Sequence, residues 1–217
     1  KQALDVISRI PTLYDEPFSD SSQIPTFLLS QMTREHVKVS LSGDAGDELF
    51  GGYNRYLLTS SIWRKIEKYP IQIRSLLVRL LLGVSPTTWN YVIGLFDYLI
   101  PKSARFTLPG DKLHKLAEIL EANSPEAIYT NLVSHWKNPK EIVLGLSENS
   151  STFTTISGWL STDNIEHKMM AMDAVTYLPD DILVKVDRAA MGVGLETRIP
   201  FLDHRVVEFA MSIPNKY

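Results

Sequence analysis

Apolar residues recur along this chain with a helical period in its middle and with a different pattern near its start. Five of them fall at i, i+3, i+4, i+7 and i+8 before Gly83, which predicts a helix with one apolar stripe packed on other helices. They are Ile73, Leu76, Leu77, Leu80 and Leu81. Nearer the start, a helix predicted over about 26–34 leads into the short run 37–41, which is apolar enough to be a buried parallel strand. This succession is typical of an α/β unit.

Proline and glycine divide the rest of the chain into further predicted helices. Segments 85–101, 124–136 and 138–145 each open with Ser-Pro or Asn-Pro, an N-cap followed by proline at the first helical position. The polar stretch 147–158 is predicted to be an exposed loop. Three more helices are predicted near the end, over about 165–177, 179–193 and 203–212. In the last, Asp203 is the predicted N-cap, with an inward apolar face formed by Val206, Val207, Phe209, Ala210 and Ile213.

The pattern predicts an α/β fold that is predominantly helical. We divide it into three regions of one domain: 1–56 as part of an α/β core, 57–162 as a helical region, and 163–217 as C-terminal helices that return to the core. The chain starts without Met and inside a predicted helix, so we expect an excised piece of a longer protein.

Composition narrows the possible functions. Lys and Arg number 22 against 25 Asp and Glu, a net charge of −3, so nothing favours general binding to nucleic acid or an anionic membrane. The chain has no cysteine, which excludes disulfides, thiolate metal sites and a cysteine nucleophile within it. Charged residues and glycine interrupt the longest apolar runs, so no membrane span is predicted. A cytoplasmic location is expected.

The most unusual stretch is the acidic, glycine-rich loop that follows the predicted strand. In a parallel α/β sheet, ligands bind beyond the carboxyl ends of the strands, where Ser42 and Gly43 can offer polar backbone groups to a nucleotide. Asp44 and Asp47 lie three residues apart and share a face if a helix starts near Asp44. Two carboxylates aimed at one point repel each other unless a cation lies between them, and Mg²⁺ on a phosphate chain is the usual candidate.

A purely structural interpretation fits the same spacing equally well. Asp44 or Asp47 can cap the following helix and favour its positive end, while the Gly51–Gly52 pair makes a turn. Spacing alone leaves this alternative open, because short acidic motifs often match by chance.

Two long motifs carry a resemblance to a known family. The stretches LSGDAGDELFGGYNRY, at 41–56, and YLPDDILVKVDRAAMGVGLETRIPFLDHRVVEFA, at 177–210, closely resemble the synthetase domain of the asparagine synthetase family. The upstream stretch LYDEPFSDSSQIPTFLLS, at 13–30, also resembles it. The resemblance implies a Rossmann-like parallel sheet domain of the adenine-nucleotide alpha-hydrolase type. It also implies a reaction in which ATP activates the side-chain carboxylate of aspartate as an adenylate and ammonia then gives asparagine.

The resemblance further implies roles for single residues. Ser42 and Gly43 match the nucleotide-contacting pair, Asp44 an acid that handles the proton as ammonia attacks, and Asp47 an acid associated with Mg²⁺ and pyrophosphate. A carboxylate beside the attacking ammonia stabilises the cationic species and accepts its proton. Glu48 is expected to support the loop. The implied partners are aspartate, ATP, Mg²⁺ and ammonia, the last usually released from glutamine by a separate domain.

The second motif is unusually charged for so apolar a segment. At α-helical spacing, Asp180 and Asp187 fall on one face, while Asp181 and Lys185 can pair on another in a surface contact of little energy. Arg188, Glu196 and Arg198 can form a structural salt-bridge network. The resemblance makes this segment a wall of the substrate pocket, with Asp181 and Asp187 as the candidate substrate-binding acids.

Two features of the resembling family are missing from the sequence. A Ser-Gly-Gly-x-Asp-Ser phosphate loop is expected upstream of Lys1 and a lysine downstream of Tyr217, so we expect little synthetase activity from this piece alone. A truncated sheet would expose an apolar edge and favour self-association or a homodimer. Two alternatives stay open: a related ligase acting on another carboxylate, such as the β-lactam synthetases, and a non-catalytic helical binding module.

Overall fold

The computed structural model describes residues 2–95, 109–134, 142, 143, 145 and 162–214. The chain folds as two compact units, one formed by Lys1–Asn54 with Phe153–Tyr217 and the other by Arg55–Thr152. The described residues are mostly helical and include a small parallel sheet, in agreement with the predicted α/β, helix-rich class. The division into regions 1–56, 57–162 and 163–217 stays a prediction.

The first unit combines a two-stranded parallel sheet with helices. Its helices before the second motif are α1 (Gln2–Ile7), α2 (Ile10–Leu13), α3 (Gln23–Arg34), α4 (Gly46–Phe50) and α10 (Ile165–Val175). The remaining elements are a π-helix (Leu178–Leu183), α11 (Val184–Met191), a 3-10 turn (Pro200–Leu202) and α12 (His204–Ser212). Strand β1 (Val39–Leu41) pairs in parallel with β2 (Glu196–Arg198).

The strand predicted over 37–41 is shorter than expected and is not buried. Val39 is 42% exposed and Leu41 is 74% exposed. Among the described residues only β2 pairs with β1, and two three-residue strands cover too little of each other to exclude water from their faces. The prediction of a parallel strand is therefore confirmed, but the prediction of its burial is wrong.

The first unit contains an apolar cluster that packs α1 and α3 against α11. Val6, Phe27 and Ala189 are fully buried there, and the guanidinium carbon of Arg9 lies 4.6 Å from the centre of the Phe27 ring. A Cβ placed on Gly192, which ends α11, would lie 2.3 Å from a methyl carbon of Leu13. Glycine at this position therefore allows α11 and α2 to approach closely.

The chain between α10 and α11 does not form the continuous α-helix predicted over 179–193. Pro179 has no N–H to donate and its ring crowds the carbonyl four residues earlier, so α10 ends at Val175 and a π-helix precedes α11. A π-turn is wider than an α-turn. The α-helical spacing that placed Asp180 and Asp187 on one face therefore does not hold exactly across the junction, and a shared face for these two acids stays a prediction.

The second unit contains the other described helices. They are α5 (Asn54–Ile66, whose first residue belongs to the first unit), α6 (Ile71–Leu82), α7 (Pro86–Leu95), α8 (Pro109–Glu121) and α9 (Pro125–Val133). Ser85 accepts a hydrogen bond from Thr88 N at 3.2 Å, and Ser124 accepts one from Ala127 N at 3.2 Å. Both predicted Ser-Pro helix starts are therefore confirmed.

Some predicted elements fall on residues that are not described. The loop predicted over 147–158 lies outside the described residues, as do the continuation of α7 beyond Leu95 and the end of the helix predicted over 124–136. The helix predicted over 138–145 lies outside them except for Ile142, Val143 and Gly145.

Helix α6 does not bury the centre of the predicted apolar stripe but a face beside it. Leu76 and Leu80 are 59% and 61% exposed, whereas Arg74 and Val78 are buried. The Arg74 guanidinium donates to the carbonyl oxygens of Leu120 at 3.3 Å and Ala122 at 2.6 Å. These carbonyls lie at and just after the C-terminal end of α8, where hydrogen-bond partners within the helix are missing. Because the carbonyls need hydrogen-bond donors, the contact with Arg74 sets the rotation of α6 about its axis and overrides the leucine pattern.

The last helix follows the prediction at its start and departs from it on its face. Asp203 caps α12 by accepting from Arg205 N at 2.9 Å, and hydrogen bonds from Arg205 hold the pKa of the Asp203 carboxyl well below its ordinary value. Ala210 is buried, but Phe209 is exposed. Phe209 was predicted to face inward, and that is wrong because the packed stripe follows Val207 and Ala210.

Within the described ranges, no single helix is long and apolar enough to cross a membrane. Only α6 and α7 taken together reach the necessary length and composition, and they are bent by 87° at their junction.

A pair of glycines tests the packing of α7 on α8. A Cβ on Gly110 would lie 2.0 Å from the carbonyl oxygen of Pro86, whereas one on Gly94 meets nothing within 4 Å. We expect Gly110→Ala to lower the free energy of unfolding by about 1–3 kcal/mol through overpacking. The control Gly94→Ala should raise it by about 0.5–1 kcal/mol, because alanine favours a helix interior. Urea denaturation followed by circular dichroism measures both, and equal effects would contradict this packing.

Candidate active site

The two sequence motifs meet at the carboxyl ends of the paired strands. Ser40 in β1 lies opposite Thr197 in β2, and Ser42 N, just beyond β1, donates to the carbonyl oxygen of Arg198 at 2.9 Å. Because the strands are parallel, the acidic loop after β1 and the turn after β2 leave the sheet at the same end. This is where ligands bind in parallel α/β sheets.

The acidic loop is a tight bend with a strained residue at its centre. Ala45 has φ of 68°, in the left-handed region, which costs a residue with a Cβ about 1 kcal/mol or more. The Ala45 side chain is buried in the apolar cluster below the loop, and this burial holds it in place. The Ser42 hydroxyl donates to the Asp44 carboxylate, which fixes that side chain within the bend.

Helix α4 begins at Gly46, two residues after Asp44, and its N-cap is Ala45 with no side-chain capping bond. The premise that Asp44 and Asp47 share a helical face is therefore wrong, and neither of them is the cap residue. Asp47 does lie in the first turn of α4, where the helix dipole favours an anion. That part of the structural interpretation holds.

Asp47 and Glu48 are adjacent in sequence but differ in environment. Asp47 is exposed, and its Oδ1 would lie 2.0 Å from a Cβ placed on Gly52, so the carboxylate rests against the Gly52 backbone. Glu48 is buried and accepts a hydrogen bond from the Tyr53 hydroxyl at 2.7 Å. This contact agrees with the expected role of Glu48 in supporting the loop.

An apolar cluster joins the acidic loop to the second motif. Ala45 and Leu49 are buried against Leu178 and Ile182 of the π-helix and Ala210 of α12. A second contact involves one ring beyond β2. The Phe201 ring would lie 3.3 Å from a Cβ on Gly46, and its centre lies 5.8 Å from that of Phe50 in an edge arrangement. Residues far apart in the sequence thus form one packed wall.

The two candidate substrate-binding acids of the second motif lie in different surroundings. Asp181, in the π-helix, is half-buried, whereas Asp187, in α11, is exposed. Arg188 pairs with Asp15 at 2.6 Å and Arg198 with Glu196 at 2.7 Å. The predicted salt-bridge role is thus present, but as two separate exposed pairs.

The spacing of Asp181 and Lys185 suggested a surface ion pair. Lys185 is instead buried and pairs with a different acid. Its Nζ lies 2.6 Å from Asp20 Oδ2, with side-chain exposures of 11% and 19%. Asp20 also accepts from the backbone N and hydroxyl of Ser22, at 2.8 Å and 2.6 Å. Burial opposes the charge on Asp20, but the hydrogen bonds from Lys185 and Ser22 outweigh it and hold its pKa below the ordinary value.

Tyr14 completes this polar group. Its hydroxyl donates to the carbonyl oxygen of Lys185 at 3.1 Å, and its ring stacks on Phe18 at 4.9 Å. Burial, with smaller contributions from the charges of Asp20 and Asp181, raises the pKa of Tyr14 to about 12. Neither Tyr14 nor Asp20 is among the site residues predicted from the sequence. Their only signal was their position in the upstream stretch that resembles the family.

The described residues contain no group of three or more His, Asp or Glu side chains arranged to hold a metal ion. Asp47 offers one exposed carboxylate. Mg²⁺ is commonly held by one or two protein carboxylates together with substrate phosphates and water. The donor set therefore fits a metal ion that arrives with a phosphate chain.

Comparisons with known proteins identify relatives along the whole chain. The family model for asparagine synthase matches residues 1–217. The chain is 31% identical over 216 residues to asparagine synthetase [glutamine-hydrolyzing] 1 of Bacillus subtilis, covering 100% of the chain and 31% of that protein. It is 29% identical over 208 residues to a putative asparagine synthetase [glutamine-hydrolyzing] of Mycobacterium bovis, covering 92% of the chain and 28% of that protein.

A shorter match has a higher identity. Over 53 residues the chain is 51% identical to putative asparagine synthetase [glutamine-hydrolyzing] 2 of Methanocaldococcus jannaschii, covering 24% of the chain and 10% of that protein. The chain spans about a third of the length of the first two relatives. No solved structure matches it significantly.

Proposed function

The chain belongs to the asparagine synthase family, and on that premise we propose that it supplies one wall of the site where a carboxylate is adenylated and then converted to an amide. The substrates of the whole protein are then ATP, aspartate and ammonia derived from glutamine. The observation that carries the proposal is the packing of the acidic loop on the second motif at the carboxyl ends of β1 and β2.

Ser42 and Gly43 are the proposed nucleotide contacts. Gly43 is exposed, and a Cβ placed there would meet no atom within 4 Å, so a ligand can approach its backbone closely. Ser42 lies between the sheet and Asp44 and hydrogen-bonds to both. We expect β1 and β2 to belong to a larger Rossmann-like parallel sheet, whose strand ends bind nucleotides in this way.

Asp44 is the proposed acid that takes the proton from the attacking ammonia. Its carboxylate is half-buried and oriented by the Ser42 hydroxyl. A fixed carboxylate stabilises the positive charge that develops on nitrogen and accepts the proton as the amide forms.

Asp47 is the proposed metal-associated acid. A bound Mg²⁺ would neutralise charge on the phosphate chain as pyrophosphate leaves. The role of Asp47 is to present its carboxylate at the start of α4, where the absence of a side chain on Gly52 leaves room for it.

The cytoplasmic location, the absence of nucleic-acid and membrane partners, and self-association through the exposed strand stay predictions.

A ligase acting on another carboxylate and a non-catalytic helical module are the competing functions. The presence of Asp44 favours transfer of ammonia from outside the substrate, as asparagine formation requires.

The first test removes the charge of Asp44 while keeping its shape. In the intact protein, with ammonium salt as nitrogen source, we expect Asp44→Asn to keep aspartate-dependent ATP–pyrophosphate exchange and to lower amide formation by about 10²–10⁴-fold. Asp111→Asn, which changes an exposed acid in the first turn of α8, is the control and should keep both activities. Unchanged amide formation in Asp44→Asn would rule out its role, and no exchange with any carboxylate in the wild-type protein would rule out the ligase.

The second test displaces the Asp47 carboxylate without changing Asp47. Alanine at Gly52 would overlap Asp47 Oδ1, so we expect Gly52→Ala to raise the Mg²⁺ concentration for half-maximal exchange by about tenfold. Asp47→Asn should shift it in the same direction, and Gly94→Ala, which meets no neighbour, should not. An unchanged Mg²⁺ dependence in both Gly52→Ala and Asp47→Asn would contradict a metal role for Asp47.

A further inference from the structure

We propose that Asp20 is a positioning residue for this reaction: through its buried ion pair with Lys185 it fixes the π-helix and thereby the Asp181 carboxylate. The inference rests on the proposed function and extends it to a residue outside the two long motifs.

The element that needs fixing is the π-helix. It carries Asp181 and begins where Pro179 prevents regular α-helical bonding. One side of it is held by apolar contacts, since Leu178 and Ile182 belong to the same buried cluster as Leu49 of α4. Apolar packing is non-directional. It therefore holds the π-helix against the acidic loop but does not fix the orientation of a carboxylate.

Directional contacts come from the other side, immediately after the π-helix. Lys185, the second residue of α11, is held at two points: its Nζ by Asp20 at 2.6 Å and its carbonyl oxygen by the Tyr14 hydroxyl at 3.1 Å. Two contacts on one residue restrict both rotation and translation of the helix start. The segment before α3 therefore anchors the chain two residues after the end of the π-helix.

Asp20 is itself held rigidly. Besides Lys185 it accepts two hydrogen bonds from Ser22, so three donors surround one carboxylate. Asp181 lies close enough to this group for its charge to act on Tyr14. The contacts thus run from Ser22 through Asp20 and Lys185 to the turn that presents Asp181.

Stability alone is a poor explanation for such a pair. The cost of removing two charges from water often cancels their attraction, and apolar residues of similar volume commonly replace a buried ion pair with no loss of stability. The two kinds of pair differ in how well they orient their neighbours, because an apolar pair fills the same space without directional contacts. This difference separates a positioning role from a purely structural one.

The decisive variant is therefore the double replacement Asp20→Leu with Lys185→Met. In the intact protein, we expect it to keep a melting temperature near that of the wild type while the KM for aspartate in pyrophosphate exchange rises roughly tenfold to hundredfold. The KM for ATP should change less, because Ser42 and Gly43 lie on the other motif. A double variant with the wild-type KM for aspartate would overturn the proposal.

Milder variants keep the proposal testable if the double variant fails to fold. Ser22→Ala removes one hydrogen bond, from the Ser22 hydroxyl to Asp20, and leaves the backbone hydrogen bond and the ion pair, so the KM for aspartate should rise by a smaller factor. Asp20→Glu keeps the charge and should recover part of the loss seen in Asp20→Asn. Equal KM values for aspartate across Ser22→Ala, Asp20→Asn and the wild type would also overturn it. Failure of the proposed function is distinguishable from failure of the role of Asp20. If the proposed function is wrong, the wild-type protein itself shows no carboxylate-dependent exchange.

Discussion

The candidate site depends on close packing between a left-handed bend and a π-helix that are far apart in the sequence. Ala45 and Leu49 are buried against Leu178 and Ile182. Ala45 occupies a backbone region that costs energy for any residue with a Cβ, and it can do so only while its methyl group stays buried. The bend and the π-helix therefore share one buried core, which holds the two segments together beneath their carboxylates.

Polar contacts then set the directions that apolar packing leaves free. Ser42 orients Asp44, Tyr53 holds Glu48, and Asp20 holds Lys185. Each of these contacts joins two side chains in a direction that apolar packing alone does not define. A packed base with directional contacts at its edge is the arrangement that precise catalysis requires.

Local signals in the sequence were sufficient for the helix starts at Ser85, Ser124 and Asp203, since capping depends on a few neighbouring residues. Tertiary contacts decided the rest. The rotation of α6 follows from Arg74 reaching carbonyls at the end of α8, and no periodicity in α6 contains that information. The partner of Lys185 is a residue 165 positions away, whereas sequence reasoning offered the acid four positions earlier. The two motifs could be recognised as a pair, but the buried cluster that contains Leu49 and Ile182 could not be derived from spacing.

The most direct measurement of this account is a double-mutant cycle between the acidic loop and the π-helix. Leu49→Ala and Ile182→Ala would each be compared with the double variant by urea unfolding. Because both side chains belong to one cluster, we expect the two losses to be non-additive, with a coupling free energy of about 1 kcal/mol. Losses that add to within about 0.3 kcal/mol would show that the bend and the π-helix do not share a core, and would contradict the account.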